Sequence, residues 1–366
     1  MRFSLRVRTR IVGAFIVSTV LVALPSIHRA DATQHLKATP VATGLAFPAG
    51  FTFAPGGRIF YGERFTGNIQ IFNPATSSNQ RFFTVSNLVT SGEQGLLGVE
   101  LHPNYPKAPY VYASVIRLVS GVARNQIVRI TDNGGTGTAM RVIYDGGRSN
   151  SNHVGGRVLF GPDRMLYLVV GDKGSPSRAQ KIRNRAGKVL RMTPRGGVPS
   201  DNPFSNVVWA YGIRNSFGLA FDPENGRLWE TDNGPQCIDE TNRIIRGRNF
   251  GWGPSWTCST PPTPPAGTNR DGSKPVMPRT FYTPPIAPTG LVFCDECGLG
   301  ASEGHLFFGA WNNGHIRELT LNSRRTAVIS DVLAYDHTSG VLAMERGPDG
   351  AIYFSDPDEI YKLELA

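Results

Sequence analysis

Three clusters of polar residues between Asn150 and Glu240 have the types and spacing to do chemistry. The first is Asn152-His153-Val154-Gly155-Gly156-Arg157, followed by Gly171-Asp172-Lys173-Gly174 at the far end of the next hairpin. A His entering a hairpin and an Asp leaving it can meet at one rim, where the carboxylate orients the imidazole and stabilises its protonated form, as a general base requires. The same spacing also suits a surface His beside an Asp that merely caps a turn. In the second cluster, Gly212-Ile213-Arg214-Asn215-Ser216-Phe217-Gly218, two glycines bracket an adjacent Arg and Asn. Such a loop presents a planar cation and an amide to an anionic or carbonyl-bearing ligand, although a structural Arg bound to neighbouring carbonyls reads equally well. The third, Asp232-Asn233-Gly234-Pro235-Gln236-Cys237-Ile238-Asp239-Glu240, joins turn carbonyls to carboxylates. Those groups suit a hard cation such as calcium, but the spacing matches no EF-hand loop.

The elements that must position these clusters are six strand–turn–strand units: 51–72, 97–115, 157–172, 219–234, 291–319 and 342–365. Pro55-Gly56-Gly57, Pro103-Asn104, Pro162-Asp163, Pro223-Glu224-Asn225-Gly226 and Pro348-Asp349-Gly350 supply the fixed φ and the tolerance of positive φ that tight turns need. The fifth unit lacks such a turn. Successive turn prolines lie 48, 59 and 61 residues apart, then 125 across the fifth unit, which predicts one four-stranded sheet per unit. Closing the units into a ring shields their edges, so the expectation is an all-β, six-bladed β-propeller. An open β-sandwich gives no reason for six recurrences. Helical periodicity is scarce, and the stretch 179–189 is the one place where a short helix is expected.

Composition is consistent with one large folded domain: 366 residues, 40% hydrophobic and 18% charged, with 42 Gly and 27 Pro that follow no strict period. At the N-terminus Arg2, Arg6, Arg8 and Arg10 precede the apolar run 11–24, and Ala30-Asp31-Ala32 offers a cleavage site. Residues 1–32 therefore read as a signal peptide, and 33–366 as a single domain exported to the periplasm or outside the cell. An uncleaved anchor is the alternative, but the run is short for a membrane span and no later segment resembles one. Removing residues 1–32 takes away five Arg and one Asp and lowers the formal charge from +10 to +6. With no Lys/Arg block interleaved with aromatics, nucleic acid is not an expected partner.

An oxidising compartment makes disulfides the default for Cys237, Cys258, Cys294 and Cys297. Four cysteines allow three pairings. Cys237–Cys258 with Cys294–Cys297 is favoured because the first ties a long Pro-rich connection and the second locks a tight turn. A zinc site built on the CxxC is the competing reading, with no second CxxC or His pair to complete it.

GEQGLLGVELHPNY (92–105), NHVGGRVLFGPD (152–163), GDKG (171–174), AGKVLRMTP (186–194), VPSDNPF (198–204), WAYGIRNSFGLAFDP (209–223), DNGPQCIDETNRI (232–244) and GRNFGWG (247–253) occur in one order. Together they resemble the soluble pyrroloquinoline quinone-dependent sugar dehydrogenases, the glucose/sorbosone dehydrogenase family, whose fold is a six-bladed propeller. The resemblance implies a sugar substrate, with an electron acceptor that it does not name. It implies His153 as general base, Asp172 as the carboxylate that orients it, and Arg214 and Asn215 against the quinone, with Glu93 nearby. It implies that the carbonyls of Gly234 and Pro235 hold a calcium ion, and that Asp239 and Glu240 serve a second calcium site or the structure of that loop. Two features depart from the pattern. Asn312 stands where the family's better-known quinone enzymes carry a Lys, and the segment 337–342, ending at Leu342, lacks their Arg pair. A basic clasp on the quinone's carboxylates is thus missing, and His315, Arg317 and His337 are the nearby candidates to replace it. A catalytically silent propeller that binds a carbohydrate or protein partner is the alternative this leaves.

Overall fold

The computed structural model describes residues 35–259 and 268–366; the segment 1–32, read as a signal peptide, lies outside them. After β1 (Leu36–Ala42), twenty-three strands follow in groups. Blade 1 is β2 (Pro48–Phe53), β3 (Ile59–Glu63), β4 (Asn68–Asn73) and β5 (Ser78–Thr84). Blade 2 is β6 (Leu96–Leu101), β7 (Tyr110–Val119), β8 (Val122–Asp132) and β9 (Gly137–Arg148). Blade 3 is β10 (Val158–Phe160), β11 (Leu166–Val170), β12 (Lys188–Met192) and β13 (Val208–Tyr211), with the single-turn helix α1 (Pro176–Ala179) between β11 and β12. Blade 4 is β14 (Ser216–Phe221), β15 (Leu228–Asp232), β16 (Asp239–Arg243) and β17 (Thr280–Tyr282). Blade 5 is β18 (Pro288–Phe293), β19 (Leu306–Ala310), β20 (His315–Leu321) and β21 (Val328–Asp336). Blade 6 is β22 (Ala343–Arg346), β23 (Ile352–Ser355) and β24 (Ile360–Leu365), completed by β1.

Six antiparallel four-stranded sheets result, as the six sequence units predict. β1 pairs along β24, Leu36 opposite Leu365, so the start of the described chain supplies the outer strand of the last blade and closes the ring. The second strands Ile59–Glu63, Leu166–Val170 and Leu306–Ala310 are buried along their whole length, because a blade is covered on both faces by its neighbours. The core is therefore distributed between blades. Phe60, Ile69 and Phe82 of blade 1 meet Leu96, Val99 and Val111 of blade 2, and equivalent clusters fill the other junctions. Truncating a fully buried member such as Phe60 to Ala would cost about 3–5 kcal/mol.

The fifth unit is a full blade despite its missing turn. A loop closed by the Cys294–Cys297 disulfide, with a 3-10 turn at Gly300–Ser302, connects its first two strands. Cys237–Cys258 is the second disulfide, so the favoured pairing is the one present and the CxxC thiols are not free to bind zinc. The expected helix at 179–189 is a correction. Only Pro176–Ala179 is helical, and the following residues turn back into β12. Lys188, fully buried, donates its ammonium to the carbonyls of Arg178, Ala179 and Ala186 at 2.7–2.9 Å and pins this turn. Gly187 adopts φ +68, and a side chain there would meet Ala179 Cβ at 2.5 Å.

At the ring's axis the Arg157 guanidinium, carried by the entry to blade 3, donates to the carbonyls of Phe217 (3.1 Å), Leu342 (3.2 Å) and Ala49 (3.4 Å). One buried side chain thereby links four blades, and it forms part of the floor beneath the site.

Candidate active site

In an antiparallel blade, the entry to the first strand, the turn between the second and third, and the exit from the fourth all lie on one rim. The loops β5–β6, β9–β10, β11–β12, β13–β14 and β15–β16 therefore converge, and these carry Glu93, His153, Asp172, Arg214 with Asn215, and Gly234 with Pro235. His153, Glu93, Arg214, Asn215, Gly234, Pro235 and Asp239 all line one cavity of about 500 Å³.

His153 Nδ1 lies 2.7 Å from Asp172 Oδ1, and Asp172 is 0% exposed. With Nδ1–H donating to the carboxylate, Nε2 is left with its lone pair available to a ligand in the cavity. Asp172 also accepts the Gly174 N–H at 2.7 Å and the Trp252 indole N–H at 2.8 Å. Burial alone would raise the Asp172 pKa; the hydrogen bonds from His153, Trp252 and Gly174 outweigh it and hold the carboxyl below its ordinary range. His153 sits at φ +54, a left-handed conformation unusual for a residue with a side chain. Its carbonyl accepts the Lys173 N–H at 3.1 Å, and a Cβ at Gly171 would approach that carbonyl oxygen to 2.3 Å. Only glycine admits this approach.

The Arg214–Asn215 loop is shaped by Asp232, whose two oxygens accept the backbone N–H groups of Arg214 (2.8 Å) and Asn215 (2.6 Å). Burial raises Asp232 to a pKa of about 6, against the lowering effect of those two N–H bonds. Arg214 donates Nη1 to the Asn233 carbonyl at 2.7 Å and lies over the Trp252 ring. Its Nε is buried and has no hydrogen-bond partner among the described residues. Asn215 Nδ2 donates to both oxygens of Glu93 at 3.1 and 3.2 Å, and Glu93 also accepts the Val154 N–H.

Asp239 and Glu240, read together from sequence, are separated by strand alternation. Asp239 lines the cavity, where burial raises its pKa, and its oxygens accept the N–H groups of Gly234 (2.9 Å), Ile286 and Ala287 (2.7 Å each). Glu240 lies behind the Gly234–Pro235 turn with Asp232, Trp252 and Trp256, where burial and the Asp232 charge push its pKa to about 8.

Asn312 and Leu342 line the cavity and bring no positive charge to it. The proposed substitutes do not help, which corrects the sequence expectation. His315 is 3.6 Å from Asp336, Arg317 is 2.7 Å from Asp331, and His337 is 3.0 Å from Asp356. None of the three lines the cavity.

The sequence reading did not single out Arg64 or Arg157, both of which face the cavity. Arg64 bonds the carbonyls of Gly92 and Gln94, on either side of Glu93, and lies over the rings of Phe47 and Phe65. Phe47 is itself at φ +56 and packs against Trp311 across the cavity mouth. Trp252 and Arg157 do stand within the ordered motifs GRNFGWG and NHVGGRVLFGPD, so a signal existed for both. Arg64 falls in a sequence repeat whose pattern reports only strand and turn.

The architecture and site belong to a propeller with a half-buried His paired to a buried carboxylate on its rim. The chain is a member of the glucose/sorbosone dehydrogenase family, whose sequence profile matches residues 45–362. It is 31% identical to an uncharacterised Synechocystis protein over 87% of this chain and 83% of that one. It is 33% identical to quinoprotein glucose dehydrogenase B of Acinetobacter calcoaceticus, over 58% of this chain and 51% of that one. The aldose sugar dehydrogenase of Streptomyces coelicolor, solved in its PQQ-bound form, superposes with a TM-score of 0.77 at 28% identity, covering 91% of this chain and 98% of that one. Family and structural neighbours are thus sugar dehydrogenases. No helix among the described residues is long and apolar enough to cross a membrane.

Proposed function

We propose that this chain is an exported sugar dehydrogenase that oxidises an aldose C1 hydroxyl, or a similar one, using pyrroloquinoline quinone held with calcium. The observation that carries the reading is the His153–Asp172 pair opening on the same cavity as Arg214. His153 Nε2 takes the proton of the sugar hydroxyl, and buried Asp172 stabilises the resulting imidazolium and fixes the ring's orientation. When bound, the quinone supplies the two-electron acceptor that no side chain provides. Arg214 puts positive charge on the wall where negative charge would accumulate.

The donor set fits such a group. Three guanidiniums, Arg64, Arg157 and Arg214, face the cavity against the carboxylates Glu93 and Asp239. The buried Nε of Arg214 lacks a partner among the described residues, and Phe47, Leu97, Phe217, Trp311 and Leu342 offer apolar surface for a flat ring system. The Gly234 and Pro235 carbonyls are the calcium ligands this reading assigns, with Asp239 bracing their turn.

Reconstitution tests it: chain 33–366 is mixed with pyrroloquinoline quinone and calcium, and dye reduction is followed with a panel of aldoses. A bound-quinone absorption band with sugar-dependent turnover is expected; absence of both with every sugar sinks the reading. The second reading, a silent propeller that binds a carbohydrate or protein, draws on uncharged Asn312 and Leu342. It predicts sugar binding without turnover.

A further inference from the structure

A second cavity, of about 300 Å³, lies beside the first on the same rim and is lined by Gly146, Gly147, Arg148, Lys173, Arg178, Arg183, Asn184, Arg185 and Ala186. Five of these nine residues are cationic and none is acidic. Lys173 is 4% exposed, and its ammonium is fixed by the carbonyls of Gly146 (3.1 Å) and Arg148 (3.0 Å), leaving one N–H for a ligand. The side chains of Arg148 and Arg183 have no ion-pair or hydrogen-bond partner among the described residues, and Arg185 has only the Tyr144 ring. The nearby carboxylate, Asp145, is already occupied by Arg124 at 2.8 Å, by Gln126 and by the Gly147 N–H. Burial and the charges of Arg178, Arg124 and Arg185 push the Lys173 pKa down to about 8, against the pull of Asp145.

Gathering five cations around a concave surface whose lining holds no carboxylate, with Asp145 beside it already paired to Arg124, is unfavourable in the empty protein. A ligand bearing at least two negative charges relieves it, and convergent guanidinium forks match tetrahedral oxyanions. We propose that this pocket is a second binding site, separate from the candidate active site, for a multiply charged oxyanion of the phosphate or sulfate type, free or as an ester. It shares one wall with the active site: Asn150 donates to the Lys173 carbonyl at 3.3 Å, and Ser151 accepts the Glu93 N–H at 2.8 Å.

The inference stands whether or not the chain oxidises sugars, so it is tested by binding alone. Chain 33–366 is titrated calorimetrically at low ionic strength with inorganic phosphate and with glucose 6-phosphate, using glucose as the uncharged control. One saturable site is expected, weakened by added salt. Exposed Arg183 and Arg185 can be reversed together without disturbing the core, and R183E/R185E should bind at least about 10-fold more weakly. Arg148→Gln serves as the second variant if the double one does not fold. Arg214→Gln should bind phosphate as the parent does, since it alters only the larger cavity. Equal affinity for the two phosphates supports a free ion as ligand, and a clear preference for glucose 6-phosphate supports an ester. No saturable phosphate binding, binding undiminished by charge reversal, or binding lost in Arg214→Gln overturns the proposal.

Discussion

The indole N–H of Trp252 reaches Asp172 Oδ2 at 2.8 Å, so the carboxylate is held at one oxygen by an indole and at the other by His153. The base is thus oriented through a group borrowed from blade 4's long connection. Trp252→Phe keeps the ring over Arg214 but deletes that donor. Sugar-dependent dye reduction should fall by about 10-fold in kcat, while binding of the quinone, read from its absorption, stays within about twofold. An unchanged kcat would show that His153 alone suffices to position Asp172.

Asp172→Asn is nearly isosteric but can no longer stabilise an imidazolium. Roughly 100- to 10,000-fold loss of kcat is expected, with the fold intact by circular dichroism. His153→Ala should lose at least as much. If either variant turns over at the parent rate, the base lies elsewhere.

The buried groups around Arg157 set a pH dependence. Glu345, on the inner strand of blade 6, is raised to a pKa of about 7 by burial, with Arg157 opposing the shift. In the unfolded chain a Glu titrates near about 4.3. Between these values the folded protein holds a proton that the unfolded chain has released. The resulting stability is therefore complete below the unfolded value and is lost as pH rises through about 7. Thermal midpoints should be higher at pH 5 than at pH 8, and Glu345→Gln should shrink the difference. A difference as large in the variant would assign the effect to another group.

Asp239 joins the turns of blades 4 and 5 through three backbone N–H groups. Asp239→Ala strands all three in a buried setting, for a loss of roughly 3 kcal/mol by denaturant unfolding. Because Gly234 is one of the three donors, calcium titration followed by restored activity should also shift to higher concentration. Parent-like calcium dependence would detach Asp239 from the metal loop.

Much of this is legible in the sequence. Turn prolines and paired apolar strands are local signals, so they marked five blades directly. Spacing suggested that His153 and Asp172 could meet at one rim, and the resemblance carried by the ordered motifs added Arg214 and Asn215 to the same site. What was not legible depends on distant partners. β1 has no local hairpin to announce it, because its mate is β24 at the other end of the chain. The segment 179–189 has helical composition, yet Lys188 and Gly187 impose a turn through contacts that propensity does not encode. Arg64 enters the cavity only because loops from blades 1 and 2 are adjacent. His315, Arg317 and His337 are near the right place in sequence but are already committed to carboxylates.

The pairing of Leu36–Ala42 with Ile360–Leu365 has a kinetic consequence. A chain made from its N-terminus carries β1 unpaired until β24 has emerged, and until then blades 1 and 6 each present an open face. Such long-range closure is slow and leaves apolar edges exposed to other chains. Synthesis halted before Ile360, or a protease that removes β24, would leave not a shortened ring but an open one.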